Sequence, residues 1–313
     1  MSRTTFGERL GAAMDQHGPL CVGIDPHPGL LARWGLTDDA AGLRTFALTV
    51  VEALVGRVAA LKPQSAFFER HGSAGIAVLE EVLAAVRAAP GGTQVVLDAK
   101  RGDIGSTMEG YADAYLREGA PLACDALTVS PYLGFGSLAP ALAAAEQSGR
   151  GLFVLALTSN PEGAALQHAV PPGNTVRPGD AGFPGPLSDA SGAPWAARSV
   201  AGSIAHQAGL LNAAELLRTG GGLGSVGLVV GATTGHAVRD LAIDLAAVRG
   251  PLLAPGVGAQ GGGPAELAQV FGAARRSVLA STSRAVLAAG PDVASIRQAA
   301  QAAADGAATA LLR

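Results

Sequence analysis

Short apolar runs rich in Val, Ile and Leu alternate along the chain with longer Ala- and Leu-rich stretches whose charged residues recur on one side. The runs at 20–25, 59–64, 94–100, 126–130, 152–158, 226–231, 251–256 and 277–282 have the length and β-branched content of strands. The stretches between them carry helical spacing, clearest at 43–55, 77–88, 108–117 and 293–303. Strict alternation of the two patterns implies βα units around a parallel sheet. Eight consecutive units predict a closed (β/α)8 barrel, because an open doubly wound sheet ordinarily stops earlier.

One connection breaks the rhythm. Residues 161–194, after the fifth strand, are dense in Pro and Gly and show no period. Loops beyond about 12–15 residues are lids, binding loops or disordered segments. The place of this insertion on the catalytic rim of a barrel leaves both the lid and the disordered readings open. Barrels of this kind use about 250 residues, so the 313 residues are expected to form a single domain, 1–313, with the insertion taking up the surplus.

Composition narrows the partners. Hydrophobic residues make up 49% and charged residues 15%, enough to bury a large core, and a net charge of −3 provides no basic field for nucleic acid. The two cysteines, Cys21 and Cys124, sit among apolar residues and read as buried thiols in a reducing cytoplasm. Glu8 and Asp15 and the absence of an apolar run argue against a secretory signal at the N-terminus. The uncharged stretch between Arg218 and Arg239 is too rich in Gly and Thr for a bilayer span, so no membrane segment is expected. The six histidines are scattered without metal-ligand spacing, and no G-x-S-x-G elbow occurs. A small-molecule ligand is expected.

The chemistry concentrates in Asp98-Ala99-Lys100-Arg101-Gly102-Asp103. Asp98 and Lys100 are two apart, so on a strand they share a face, at the end where barrels carry their active sites. Lys62 ends the neighbouring strand and Asp103 follows in the turn, an alternating set of two ammoniums and two carboxylates. Mutual attraction would keep all four ionised with water excluded. At the far end, Gly256-Val257-Gly258-Ala259-Gln260-Gly261 satisfies G-x-G-x-x-G, yet no acidic residue lies between Glu266 and Asp292 to bind a ribose, which argues against a dinucleotide fold. In a barrel the loops after strands seven and eight form a phosphate site, a task that fits Gln260 and Arg284.

The pattern Asp98-x-Lys100-x-x-Asp103-Ile104 resembles the catalytic motif of the orotidine 5'-phosphate decarboxylases. Gly23-Ile24-Asp25-Pro26 at the first strand, Lys62, Thr158-Ser159, Pro255-Gly256-Val257-Gly258-Ala259-Gln260 and Ser283-Arg284 fall where that family contacts its substrate. The runs Lys62-Pro63-Gln64-Ser65-Ala66-Phe67-Phe68-Glu69 and Thr158-Ser159-Asn160-Pro161 are most similar to its type 2, actinobacterial members. Ser283 before Arg284, where many relatives have Gly, and the long insertion depart from the pattern.

The resemblance implies conversion of orotidine 5'-monophosphate to UMP and CO2, the last step of de novo UMP synthesis, without a cofactor. It implies Lys100 as donor of the proton to C6, with Asp98, Lys62 and Asp103 completing the catalytic set. Asp25 and Lys62 would hold the ribose, Ser159 the pyrimidine amide edge, and Gln260 and Arg284 the phosphate, with Pro255, Gly258 and Ser283 lining the pocket. It further implies a homodimer in which Asp103, Ile104 and Thr107 reach the partner's site. Two rivals share the barrel. Magnesium-dependent sugar-phosphate enzymes of the superfamily carry a Glu ligand on the second strand, where this chain has Lys62, and a catalytically dead nucleotide-binding protein would not require all four charges.

Overall fold

The computed structural model describes residues 3–170, 198–257 and 264–312. Eight parallel strands, β1 Leu20–Ile24, β2 Ala60–Pro63, β3 Gln94–Arg101, β4 Ala126–Val129, β5 Gly151–Leu157, β6 Val226–Val230, β7 Leu252–Pro255 and β8 Val278–Thr282, close into a barrel in chain order. Their ends lie within one residue of the eight apolar runs. Some helices start ahead of their periodic cores because a cap recruits flanking residues. In Ala40–Leu54, for example, the Asp39 carboxylate accepts the Gly42 N–H at 2.8 Å and starts the helix before the apolar spacing begins.

Strand pleating sorts the side chains into two cores. Residues facing outward pack beneath the surrounding helices, with Leu43, Phe46 and Val50 of Ala40–Leu54 fully buried. Those facing inward, Cys21, Ala60, Val96, Ala126, Phe153, Val229, Leu253 and Leu279, form one apolar layer low in the barrel, one residue from each strand. The helix Phe6–His17 seals this layer from the strands' N-terminal end, started by a Thr5–Glu8 capping box. Phe6 meets Phe153 edge-on at 6.0 Å, and a Cβ on Gly151 would fall 2.1 Å from the Phe6 ring, so glycine at the foot of β5 makes room for the plug.

The connection after β5 starts with a 3₁₀ turn, Pro161–Gly163, and one helical turn, Ala164–Gln167. From residue 171 the expected insertion lies outside the described residues, and the helix Val200–Thr219 leads into β6. No helix among the described residues is long and apolar enough to cross a membrane. Both cysteines are buried and free, and burial pushes their thiols up to about 12, which leaves them unreactive.

Candidate active site

Moving two residues up each strand from the apolar layer reaches the next inward positions, and there the chemistry changes. β2 presents Lys62, β3 Asp98, β4 Thr128 and β8 Ser281, all buried. The lost hydration is offset only because these groups face one another. Lys62 Nζ donates to Asp98 Oδ2 at 2.9 Å, and Lys100 Nζ donates to Asp98 Oδ1 at 2.5 Å. Asp98 and Lys62 are deeply buried, whereas the Lys100 side chain is 45% exposed and opens toward a cavity of ≈ 770 Å³ at the C-terminal mouth. That volume suits a nucleotide-sized ligand.

The contact between Asp98 and Lys100 does not arise from simple alternation. The β3–β4 register shifts between Leu97 and Arg101, and Lys100 takes φ 48°, a left-handed setting uncommon for a residue with a side chain. Arg101 turns away to pair with Glu69 and lies over the Tyr111 and Tyr115 rings.

Burial alone would raise the Asp98 carboxyl, but the Lys62 and Lys100 ammoniums outweigh it and hold it down at about 2. Burial likewise opposes charge on Lys62, and the opposing pull of Asp98 and Asp25 raises it overall. A carboxyl held below its ordinary 3.8 stabilises the fold fully above that value and loses this contribution as pH falls through about 2. The contribution is on the order of 2 kcal/mol. Urea midpoints of wild type and Asp98→Asn should therefore differ less at about pH 2 than at about pH 5; a gap that does not narrow would contradict the depressed carboxyl.

Around the cluster, Asp25, Ser159, Pro255, Ser283 and Arg284 line the cavity. Asp25 Oδ1 is buried yet finds no hydrogen-bond partner. Gly256, at φ 91°, turns the chain out of β7 beside this end of the cavity, and Arg284 opens the short helix Arg284–Leu287 after β8. Among the described residues, no group of three His, Cys, Asp or Glu side chains is placed to hold a metal ion.

The family model of the orotidine 5'-phosphate decarboxylase / HUMPS family matches residues 18–177, which include Asp25, Lys62, Asp98, Lys100 and Asp103. A Streptomyces coelicolor protein described as orotidine 5'-phosphate decarboxylase is 56% identical over 295 residues, 94% of either chain. This chain belongs to that family. A decarboxylase so described from Salinispora arenicola is 55% identical across 95% of this chain and 94% of its own. A crystal structure of a Streptomyces avermitilis relative superimposes with a TM-score of 0.84 at 52% identity, covering 100% of this chain and 98% of the other.

Not every position that the decarboxylase motif singles out gathers at one point. Lys62, Asp98 and Lys100 form the charged centre, with Asp25 close enough to act on Lys62. Asp103 does not join them: its Oδ1 accepts the Ile104 N–H at the rim, and Ile104 and Thr107 are exposed beside it. Gly258 and Gln260 lie outside the described residues. Several wall residues escaped the sequence reading, Thr128 and Arg33 among them. Thr128 was legible in principle as a polar residue at an inward strand position, two beyond Ala126. Arg33 gave no such signal, because it comes from the helix Pro28–Arg33 and reaches the cavity only through the fold.

Proposed function

We propose that this barrel decarboxylates orotidine 5'-monophosphate with Lys100 as the proton donor, and that the whole chain serves as one catalytic domain. The observation that carries the reading is the Lys62–Asp98–Lys100 array on the cavity wall, in which a buried carboxylate anchors two ammoniums and Lys100 is the most exposed of the three.

The bond from C6 to the carboxylate breaks, CO2 leaves, and the electron pair stays on C6 in the ring plane. The ring π-system cannot take up charge in that plane, so the stabilisation must come from a cation already in position. The Lys100 ammonium stands ready for this and then gives C6 a proton, after which the neutral amine is reprotonated from solvent. Asp98 keeps that ammonium aimed and, beside the departing carboxylate, adds repulsion that the loss of CO2 relieves.

The remaining groups divide the nucleotide between them. Asp25, whose Oδ1 is a buried acceptor in need of a donor, takes a ribose hydroxyl together with Lys62. Ser159 bonds the pyrimidine amide edge, with Pro255 and Gly258 against the nucleotide. Arg284, Ser283 and Gln260 hold the phosphate, which does not react but whose binding energy favours the closed, reactive arrangement.

The functional unit in this reading is a homodimer. Ile104 is 62%, Tyr132 74% and Leu133 52% exposed, an apolar group on neighbouring rim loops that a monomer leaves in water. A Cβ on Gly102 would stand 2.3 Å from the Ser130 carbonyl oxygen, so these loops are in direct contact. A two-fold contact through them would carry Asp103, Ile104 and Thr107 into the partner's site. Co-expressed Lys100→Ala and Asp103→Ala subunits, each inactive alone, should then recover about a quarter of wild-type activity, since half the dimers pair unlike subunits and each of these holds one intact site. No recovery would mean that Asp103 acts within its own subunit.

Purified, chelator-treated protein mixed with orotidine 5'-monophosphate should consume its ultraviolet absorbance. Activity confined to sugar phosphates in the presence of magnesium would instead assign the site to the metal-dependent members of the superfamily. Lys62 argues against that outcome, because its ammonium occupies the side of Asp98 that a divalent cation would need.

A further inference from the structure

We infer that Thr128 is a positioning residue, whose hydroxyl locks the Asp98 carboxylate and the Lys100 backbone into the one arrangement that presents the Lys100 ammonium to substrate. The inference rests on the assignment of Lys100 as proton donor.

It starts from the ladder between β3 and β4. Leu97 pairs with Leu127, and the next pair is Arg101 with Val129. The chain thus advances four residues on β3 while advancing two on β4, so Asp98, Ala99 and Lys100 all stand against Thr128. The surplus leaves the strand as a bulge, and the Lys100 N–H is left without a ladder carbonyl. An orphaned N–H at such a depth is unfavourable. Thr128 Oγ1 takes the place of the carbonyl, accepting this N–H at 2.9 Å.

The hydroxyl has one proton, and it goes to Asp98 Oδ1 at 3.0 Å. An ionised carboxylate only accepts and an amide N–H only donates, so both roles of the hydroxyl are determined. Thr128 is 1% exposed, which leaves no water to compete for either bond. The same Asp98 oxygen receives the Lys100 ammonium, while the other receives Lys62. Thr128 therefore ties the two ends of Lys100, its backbone directly and its ammonium through Asp98, and holds the left-handed φ of 48° that the bulge requires.

Without the hydroxyl, the carboxylate gains freedom to rotate and the bulge loses its cap. A displacement of about 1 Å at a reacting group costs about a hundredfold in rate. Thr128→Val keeps the shape and removes the hydroxyl, whereas Thr128→Ser keeps the hydroxyl. We expect kcat to fall about 10- to 100-fold in Thr128→Val with KM within about threefold, and Thr128→Ser to stay within about fivefold of wild type.

Wild-type kcat in Thr128→Val, or equal impairment of the Val and Ser variants, would overturn the inference. So would a change confined to KM, which would make Thr128 a substrate contact. If the valine variant does not fold, Thr128→Ala carries the same comparison with less strain. Lys100→Ala, measured alongside, separates the two levels. Retained activity there would overturn the proton-donor assignment itself, whereas its loss together with wild-type kcat in Thr128→Val would overturn only the positioning role.

Discussion

Alanine in place of Lys100 should lower kcat for orotidine 5'-monophosphate by at least about 10⁴-fold while leaving UMP binding, measured by calorimetry, within about tenfold of wild type. Two effects act through the one ammonium. Pre-organised charge at a developing anion contributes about 10²–10³, and a positioned general acid about 10²–10⁴. They do not simply multiply, because one group supplies both. Binding should survive because, in the proposed reading, Lys100 meets the reacting edge of the ring, whereas Asp25, Ser159 and Arg284, which line the cavity at other strand ends, would grip the nucleotide. A variant that turns over substrate within tenfold of wild type would remove Lys100 from the proton-donor role.

Asp98→Asn should produce the largest loss of stability at the site, about 3–5 kcal/mol, because it leaves the buried Lys62 ammonium without its main counter-charge. The midpoint of urea unfolding near neutral pH reads this directly. Asp25 offers partial relief, as it already acts on Lys62, so the loss belongs at the lower end of the range if Asp25 can turn toward it. Activity should fall too, because Lys100 loses the carboxylate that aims it. Replacing the whole pair, Lys62→Met with Asp98→Leu, distinguishes electrostatics from packing. Stability should return to near wild type while catalysis stays lost. If the single variant unfolds at the wild-type midpoint, the pair is not a buried, mutually dependent network.

The architecture was readable because it depends on local pattern. Runs such as 20–25 and 226–231 could not remain in water, and their alternation with helical stretches left few arrangements other than the barrel. The main part of the site was readable for a related reason. Barrel strands all point their C-terminal ends the same way, so Lys62 and Asp98, at the ends of consecutive strands, had to be neighbours. The helix starts were less legible. Gly72–Ala88 and Gly105–Tyr115 both begin before their apolar spacing does, and neither has a side-chain cap to mark its first turn.

By itself, then, the order of residues determined the eight strands and the gathering of charge at one mouth of the barrel, since both follow from pleating and burial. Only the tertiary structure decided that a bulge, not alternation, delivers Lys100, that Thr128 rather than a backbone carbonyl satisfies its amide, and that Asp103 stands apart at the rim. Those outcomes depend on how one strand's register meets its neighbour's, a relation between segments 28 or more residues apart that no local pattern encodes.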